Sequence, residues 1–220
     1  SRRKVIYVGH FTKNKEIKKE DKSDLEKLIE NNEFGYWMRT GNKSTNDGTG
    51  QMYEEVFHQE EMKNEKRIIS HARNDPDIDS VIGKDKKRYS VSEALEKKID
   101  WIQIDIGFLS EQEKDSILNL CRYAVVNGSH TVMGEIMGGK SKPIIGIPIY
   151  DEHTNNIRWA EEKNLGVLAT KAAQVTKAIS QIKEDYERFE ENLSEFSKNF
   201  VPSGAENSAK IAAQTIEEKR

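Results

Sequence analysis

Between residues 123 and 168 three apolar runs recur, at 124–126, 144–147 and 167–168, each too short and too β-branched for a helix. Such runs read as strands buried on both faces, the signature of a parallel sheet. The segments between them, near 132–137 and 155–163, read as helices. The unit is β-α-β-α-β, and it commits the chain to an open, Rossmann-like α/β sheet with helices on both faces. Ligands of such sheets bind outside the carboxyl ends of the strands. The polar residues of this unit gather there.

The first strand end is Asn127-Gly128-Ser129-His130-Thr131. Gly128 allows a sharp turn and a close approach of backbone to ligand. Thr131 can cap the following helix, leaving free N–H groups aimed at the loop. A helix start behind a small-residue turn suits an anion, a phosphate above all. Glu135, one turn in, would repel a phosphate beside it and suits the hydroxyls of a sugar or ribose. The second end is Ile149-Tyr150-Asp151-Glu152-His153, with Asn155 and Asn156 beyond. Acid, imidazole and amide groups so close together can bind several hydroxyls. A solvated loop with a helix cap is the other reading, and both stand.

The 220 residues suffice for one large or two small domains, read here as one domain. Apolar residues make up 35% and charged residues 33%, so the core is modest and the surface heavily solvated. A net charge of −3, with lysines and acids interspersed, leaves no footprint for nucleic acid. The single cysteine, Cys121, excludes a disulfide framework and points to a reducing, cytoplasmic setting. Cys121 lies on an apolar helix face, as a structural thiol. No apolar run approaches the ~20 residues of a membrane span, and no signal peptide is evident. The chain opens Ser1-Arg2-Arg3-Lys4, which reads as a cut or processed piece.

In order, residues 4–8 read as a strand ending in Gly9-His10. Ser23-Asp24-Leu25-Glu26 is a capping box that opens a helix to about Asn32. Residues 34–39 alternate as a strand, and 42–50 form a polar loop. Met52, Val56 and Phe57 give a weak helical stripe, and 67–70 a short strand. His58 and His71 are too isolated to form a metal site. Further capping boxes at Ser90 and Ser110 precede helices at 94–98 and up to about Arg122, with a strand at 101–105 between. Residues 42–100 read in large part as an insertion packed on one side, with a solvated charged face. Residues 171–196 form one long helix, and Ser203 opens another, so 171–220 is a helical end.

Taken together, Asn127-Gly-Ser-His-Thr-Val-Met-Gly-Glu135, Lys142-Pro-Ile-Ile-Gly-Ile-Pro148, Glu152-His-Thr-Asn-Asn156 and Leu165-Gly166 resemble the donor half of MurG-like glycosyltransferases of the GT-B fold. The order and spacing of the set carry the resemblance; each piece alone is weak. It implies the C-terminal, nucleotide-sugar-binding domain of such an enzyme, bound to a UDP-sugar. Gly9, Gly128, Ser129, His130 and Thr131 would cradle the diphosphate, and Glu135 would hold the ribose. Backbone at Phe108 and Leu109 would meet the base. Glu152, His153 and Asn156 would grip the donor sugar, and His10 would face the reacting groups as the catalytic candidate. His153 stands where the family has Gln, and the segment before Lys142-Pro143 is longer than usual, a surplus that reads as extra loop.

The resemblance also implies transfer of a hexosyl or N-acetylhexosaminyl group with no cofactor and no metal, because loop amides and a helix dipole stabilise the leaving diphosphate. The family's catalytic base usually comes from an acceptor domain, upstream in the same chain or in a separate subunit, and that half could bring a peripheral membrane attachment. A nucleotide-sugar 2-epimerase half and a non-catalytic nucleotide-binding or interaction module are the competing readings.

Overall fold

The computed structural model describes residues 21–39, 49–71, 79–107, 109–199 and 208–210. At its centre lies β1 (Gly35–Met38), parallel to β2 (Arg67–Ser70) on one side and to β6 (Tyr123–Val126) on the other. Beyond β6 come β7 (Ile144–Gly146) and β8 (Gly166–Leu168), both parallel. Beyond β2 comes β5 (Trp101–Ile106), also parallel. The antiparallel hairpin β3 (Ser80–Gly83) and β4 (Arg88–Tyr89) closes that edge. The eight-stranded order is β4-β3-β5-β2-β1-β6-β7-β8.

This order fixes where a ligand can go. From β1 the chain moves outward through β2 to the edge hairpin β3–β4, steps back in as β5, returns to the other side of β1 as β6, and moves outward again through β7 and β8. The strand order reverses between β1 and β6, and a crevice opens at such a switch point, at the carboxyl ends of the strands. The reversal is made by α4 (Glu111–Leu120), which runs from β5 back to β6.

The helices form where local signals ask for them. Ser23, Ser90 and Ser110 each complete a capping box, opening α1 (Asp24–Ile29), α3 (Val91–Glu96) and α4. One sheet face is closed by α2 (Thr49–Phe57), whose Tyr53 and Phe57 rings stand edge-on to Trp37 at 5.0 and 4.8 Å. Trp37 is 0% exposed. Cys121 closes α4 as its C-cap and is buried, and burial pushes its thiol up to about 12.

Several expectations are corrected. Residues 67–70 do not pack on one side as part of an insertion, because β2 is an interior strand with partners on both edges. Residues 80–89 add the edge hairpin of the same sheet. The helix expected at 132–137 is α5 (His130–Met133), continued by a π-helical turn at Gly134–Gly139. That turn takes up part of the surplus read as loop before Lys142. The helix expected at 155–163 is α6 (Asp151–Glu162) and starts earlier, because two acids suit a first turn. The long helix at 171–196 is two, α7 (Ala172–Glu184) and α8 (Tyr186–Asn199), separated at Asp185. The Tyr186 ring there lies 3.4 Å from the Arg122 guanidinium. The strand expected at 4–8 and the capping box at Ser203 lie outside the described residues.

Candidate functional site

The bend after β6 is built from its own side chains. Asn127, buried, accepts a bond at Oδ1 from the Ser129 amide (3.0 Å). Gly128 follows at φ +87°, the left-handed region that glycine enters without strain. A Cβ there would lie 2.7 Å from Ile157 Cδ1 and 2.9 Å from the His153 carbonyl oxygen. The close approach that this glycine permits is therefore to α6, and the bend itself is filled. Its carbonyl accepts from Asn156 Nδ2 (3.1 Å), which ties α6 to the bend.

The groups left to meet a ligand come just after. The first bond of α5 runs from the Met133 amide to the Ser129 carbonyl (2.9 Å), so the Thr131 and Val132 amides precede it in the open first turn. His130 and Thr131 are exposed and Ser129 half-buried. Thr131 does not cap the helix as expected. The N-cap is Ser129, with no side-chain cap bond, and Thr131 already lies inside the first turn.

The first turn of α6 faces this bend. Glu152 is exposed, and the His153 ring packs edge-on to Tyr150 at 5.1 Å. His153 Nδ1 is buried without a hydrogen-bond partner among the described residues. A buried polar atom left unsatisfied asks for a partner, and a ligand is one way to supply it. The structure thus brings Gly128, Ser129, Glu152, His153 and Asn156 into one neighbourhood.

Glu135 lies on the π turn and is separately engaged. Both carboxylate oxygens accept from Lys114 Nζ on α4, at 2.8 and 2.7 Å. An ionised carboxylate has further lone pairs, so hydroxyl donors can still approach. Leu109 packs half-buried against the core ahead of α4. The adjacent Gly107 amide donates to Asp79 Oδ1 (2.7 Å). Gly9, His10 and Phe108 lie outside the described residues. Among the described residues no three His, Cys, Asp or Glu side chains are grouped to hold a metal ion.

Two site candidates were not evident in the sequence. One step beyond the Met38–Ser70 pair and two beyond the Trp37–Val125 pair, the parallel register carries His71, Arg39 and Asn127 into one row across the carboxyl ends of β2, β1 and β6. The Arg39 amide donates to Ser70 O and the His71 amide to Ile106 O, both at 2.8 Å, so the pairing continues that far. Arg39 places a half-buried cation directly at the switch point. His71 Nε2 lies 2.9 Å from Asp105 Oδ1. The available signal was the alternation of Gln103 and Asp105 along β5, which sets two polar side chains on one face of a central strand.

No family model matches the sequence, and no curated protein matches it. Solved structures do. A UDP-glucosyltransferase from Polygonum tinctorium capable of glucosylating indoxyl superposes with a TM-score of 0.57 at 13% identity, covering 89% of this chain and 44% of that one. The calicheamicin glycosyltransferase CalG4 gives 0.57 at 11% identity, over 83% and 43%. The Streptomyces sp. SF2575 glycosyltransferase SsfS6, complexed with thymidine diphosphate, gives 0.51 at 11% identity, over 82% and 41%. The chain spans less than half the length of each of these structures. Its fold is that of the C-terminal Rossmann-like domain of GT-B glycosyltransferases.

Proposed function

We propose that this chain is the donor-binding half of a glycosyltransferase, MurG-like in its motif set, that holds a UDP-sugar and serves transfer of a hexosyl or N-acetylhexosaminyl group. The diphosphate lies at the first turn of α5, against the Thr131 and Val132 amides and the Ser129 and Thr131 hydroxyls, with Gly128 setting the bend. Arg39 supplies positive charge from the neighbouring strand end, and no metal is required for that neutralisation. Glu135 binds ribose hydroxyls, with Lys114 holding its carboxylate in place. Backbone near Phe108 and Leu109 meets the base. Glu152 and His153 hold the donor sugar, and Asn156 holds the bend they face. Gly9 and His10 belong to this proposal through the sequence resemblance alone. The acceptor site belongs to another domain, in the same protein or in a cytoplasmic partner subunit.

The observation that carries the reading is His153 Nδ1, buried and without a partner among the described residues, beside an open helix start at the sheet's switch point. Thermal unfolding with added nucleotides tests it. UDP at 100 times its dissociation constant should add about 2.7 kcal/mol, a rise of roughly 5–10 °C for a chain of this size, and ADP and GDP should add less. Glu135→Ala should remove any preference for ribonucleotides. If no nucleotide raises the melting temperature, a non-catalytic interaction module becomes the better reading.

A further inference from the structure

Four polar side chains outside the loops assigned above form one hydrogen-bonded line along a face of β2 and β5. Arg67 Nε donates to Gln103 Oε1 (2.7 Å), Gln103 Nε2 donates to Asp105 Oδ2 (2.8 Å), and Asp105 Oδ1 faces His71 Nε2 (2.9 Å). Arg67 is 8% exposed, with Nη1 on the Met62 and Glu65 carbonyls (3.3 Å each) and its guanidinium 4.0 Å from the Phe57 ring.

The line has only one consistent direction. Arginine can only donate, so the oxygen of Gln103 faces Arg67 and its NH2 group faces Asp105. Asp105, ionised, then accepts on both oxygens, and the hydrogen of His71 sits on Nε2. In the neutral ring Nδ1 keeps its lone pair. The His71 side chain is 16% exposed, and Nδ1 has no partner among the described residues. The ring stands at the carboxyl edge of β2, two strands from the bend after β6, roughly 10 Å at ordinary strand spacing. A ligand whose diphosphate sits at that bend, and whose nucleoside runs along the strand ends toward β5, must pass it.

We infer that His71 is a nucleoside-binding residue that accepts a hydrogen bond at Nδ1 from an N–H or O–H of the nucleotide, and that Arg67, Gln103 and Asp105 are positioning residues that fix its tautomer. The inference rests on the donor-binding reading. The donor group is either the imide N–H of the base or the 2′-hydroxyl of the pentose, and two analogues separate them.

Calorimetric titration of the full chain with UDP, 2′-deoxy-UDP, N3-methyl-UDP and inorganic pyrophosphate tests it, on the unaltered protein and on His71→Phe and Asp105→Asn. In the second variant the new amide must turn its oxygen to Gln103 and its NH2 to the ring, which moves the ring hydrogen to Nδ1 and removes the acceptor. Both variants should bind UDP roughly two- to tenfold more weakly and pyrophosphate unchanged. The analogue lacking the recognised donor should lose the same factor on the unaltered protein and nothing more on the variants. Long-range 1H–15N NMR of His71 should show the hydrogen on Nε2 in the unaltered protein and on Nδ1 in Asp105→Asn. This readout stands even if His71→Phe folds poorly.

An Nδ1–H ring in the unaltered protein overturns the inference. So does UDP binding that neither variant weakens, which leaves the donor-binding reading intact. If the unaltered protein binds pyrophosphate no less tightly than UDP, nucleoside recognition fails and takes His71 with it. If it binds neither, the donor-binding reading itself has failed.

Discussion

The two halves of the sheet arrive at the carboxyl edge by different routes. From β6 to β8 the strands are plain apolar runs, and the polar groups of interest sit in the loop or helix that follows each strand. Asn127 sets its bend by bonding two residues on, at Ser129. From β1 to β5 the polar groups are side chains of the strands themselves, and their partners are distant in sequence. Arg67 meets Gln103 36 positions on, and His71 meets Asp105 34 positions on. A site can be assembled from local turns on one flank and from strand pairing on the other, and only the first leaves a motif behind.

The largest effect should come where the halves join. Tyr36 on β1, Tyr123 on β6 and Cys121 just before β6 are all buried at that seam. Burial pushes the Tyr36 hydroxyl up to about 12. Burial first, and then the Glu65 carboxylate that accepts its hydrogen at 3.0 Å, raise Tyr123 well above its usual 10.0. The three groups keep their protons in the folded protein at a pH where the unfolded chain has lost them. Their contribution is complete below the unfolded value of 9.0 for the thiol and is lost as pH climbs toward 12. Urea melts should therefore show stability falling steeply between pH 9 and 12. A single transition means that the halves unfold together; two transitions would divide them into separate cooperative units.

Next in size is Trp37→Ala, which empties the contact between β1 and α2 and should cost about 3–5 kcal/mol in urea denaturation. A cost under about 1 kcal/mol would show that the β1–β5 half does not rely on this packing. Gly128→Ala should cost less, about 1–3 kcal/mol, from strain at φ +87° and contact with Ile157, yet abolish UDP binding. Gly139→Ala is its control, since no described residue lies within 4 Å of a Cβ there, and it should leave binding unchanged. Retained UDP binding in Gly128→Ala would take the bend out of the site.

The same contrast decides what the sequence could reveal. The strands β6, β7 and β8, the three serine capping boxes and the bend at Gly128 are written in neighbouring residues, and all were legible. β2 was legible as a strand but not as an interior one, because an arginine opens it and the glutamine that satisfies that arginine belongs to another strand. The break at Asp185 was hidden because Ile182, Tyr186, Phe189 and Leu193 keep helical spacing across it. Asp151, Glu152 and His153 read as a loop for their polarity, although polarity is also what a helix start prefers. The His71–Asp105 pair had no sequence signal beyond the alternation in β5, since its geometry comes from the register of β2 on β5.

The wide turn at Gly134–Gly139 bears on how the chain length between β6 and β7 is accommodated. A helix that slips into i→i+5 bonding for a turn takes in an added residue without displacing the chain downstream. Chain is thereby taken up within the helix, and β7 lies in register on β6. The widened coil also acquires a clasp: Ser197 Oγ donates to the Gly138 carbonyl at 3.0 Å and meets Ser141 Oγ at 2.6 Å. Deleting one residue here should restore a regular helix and remove the seat for α8.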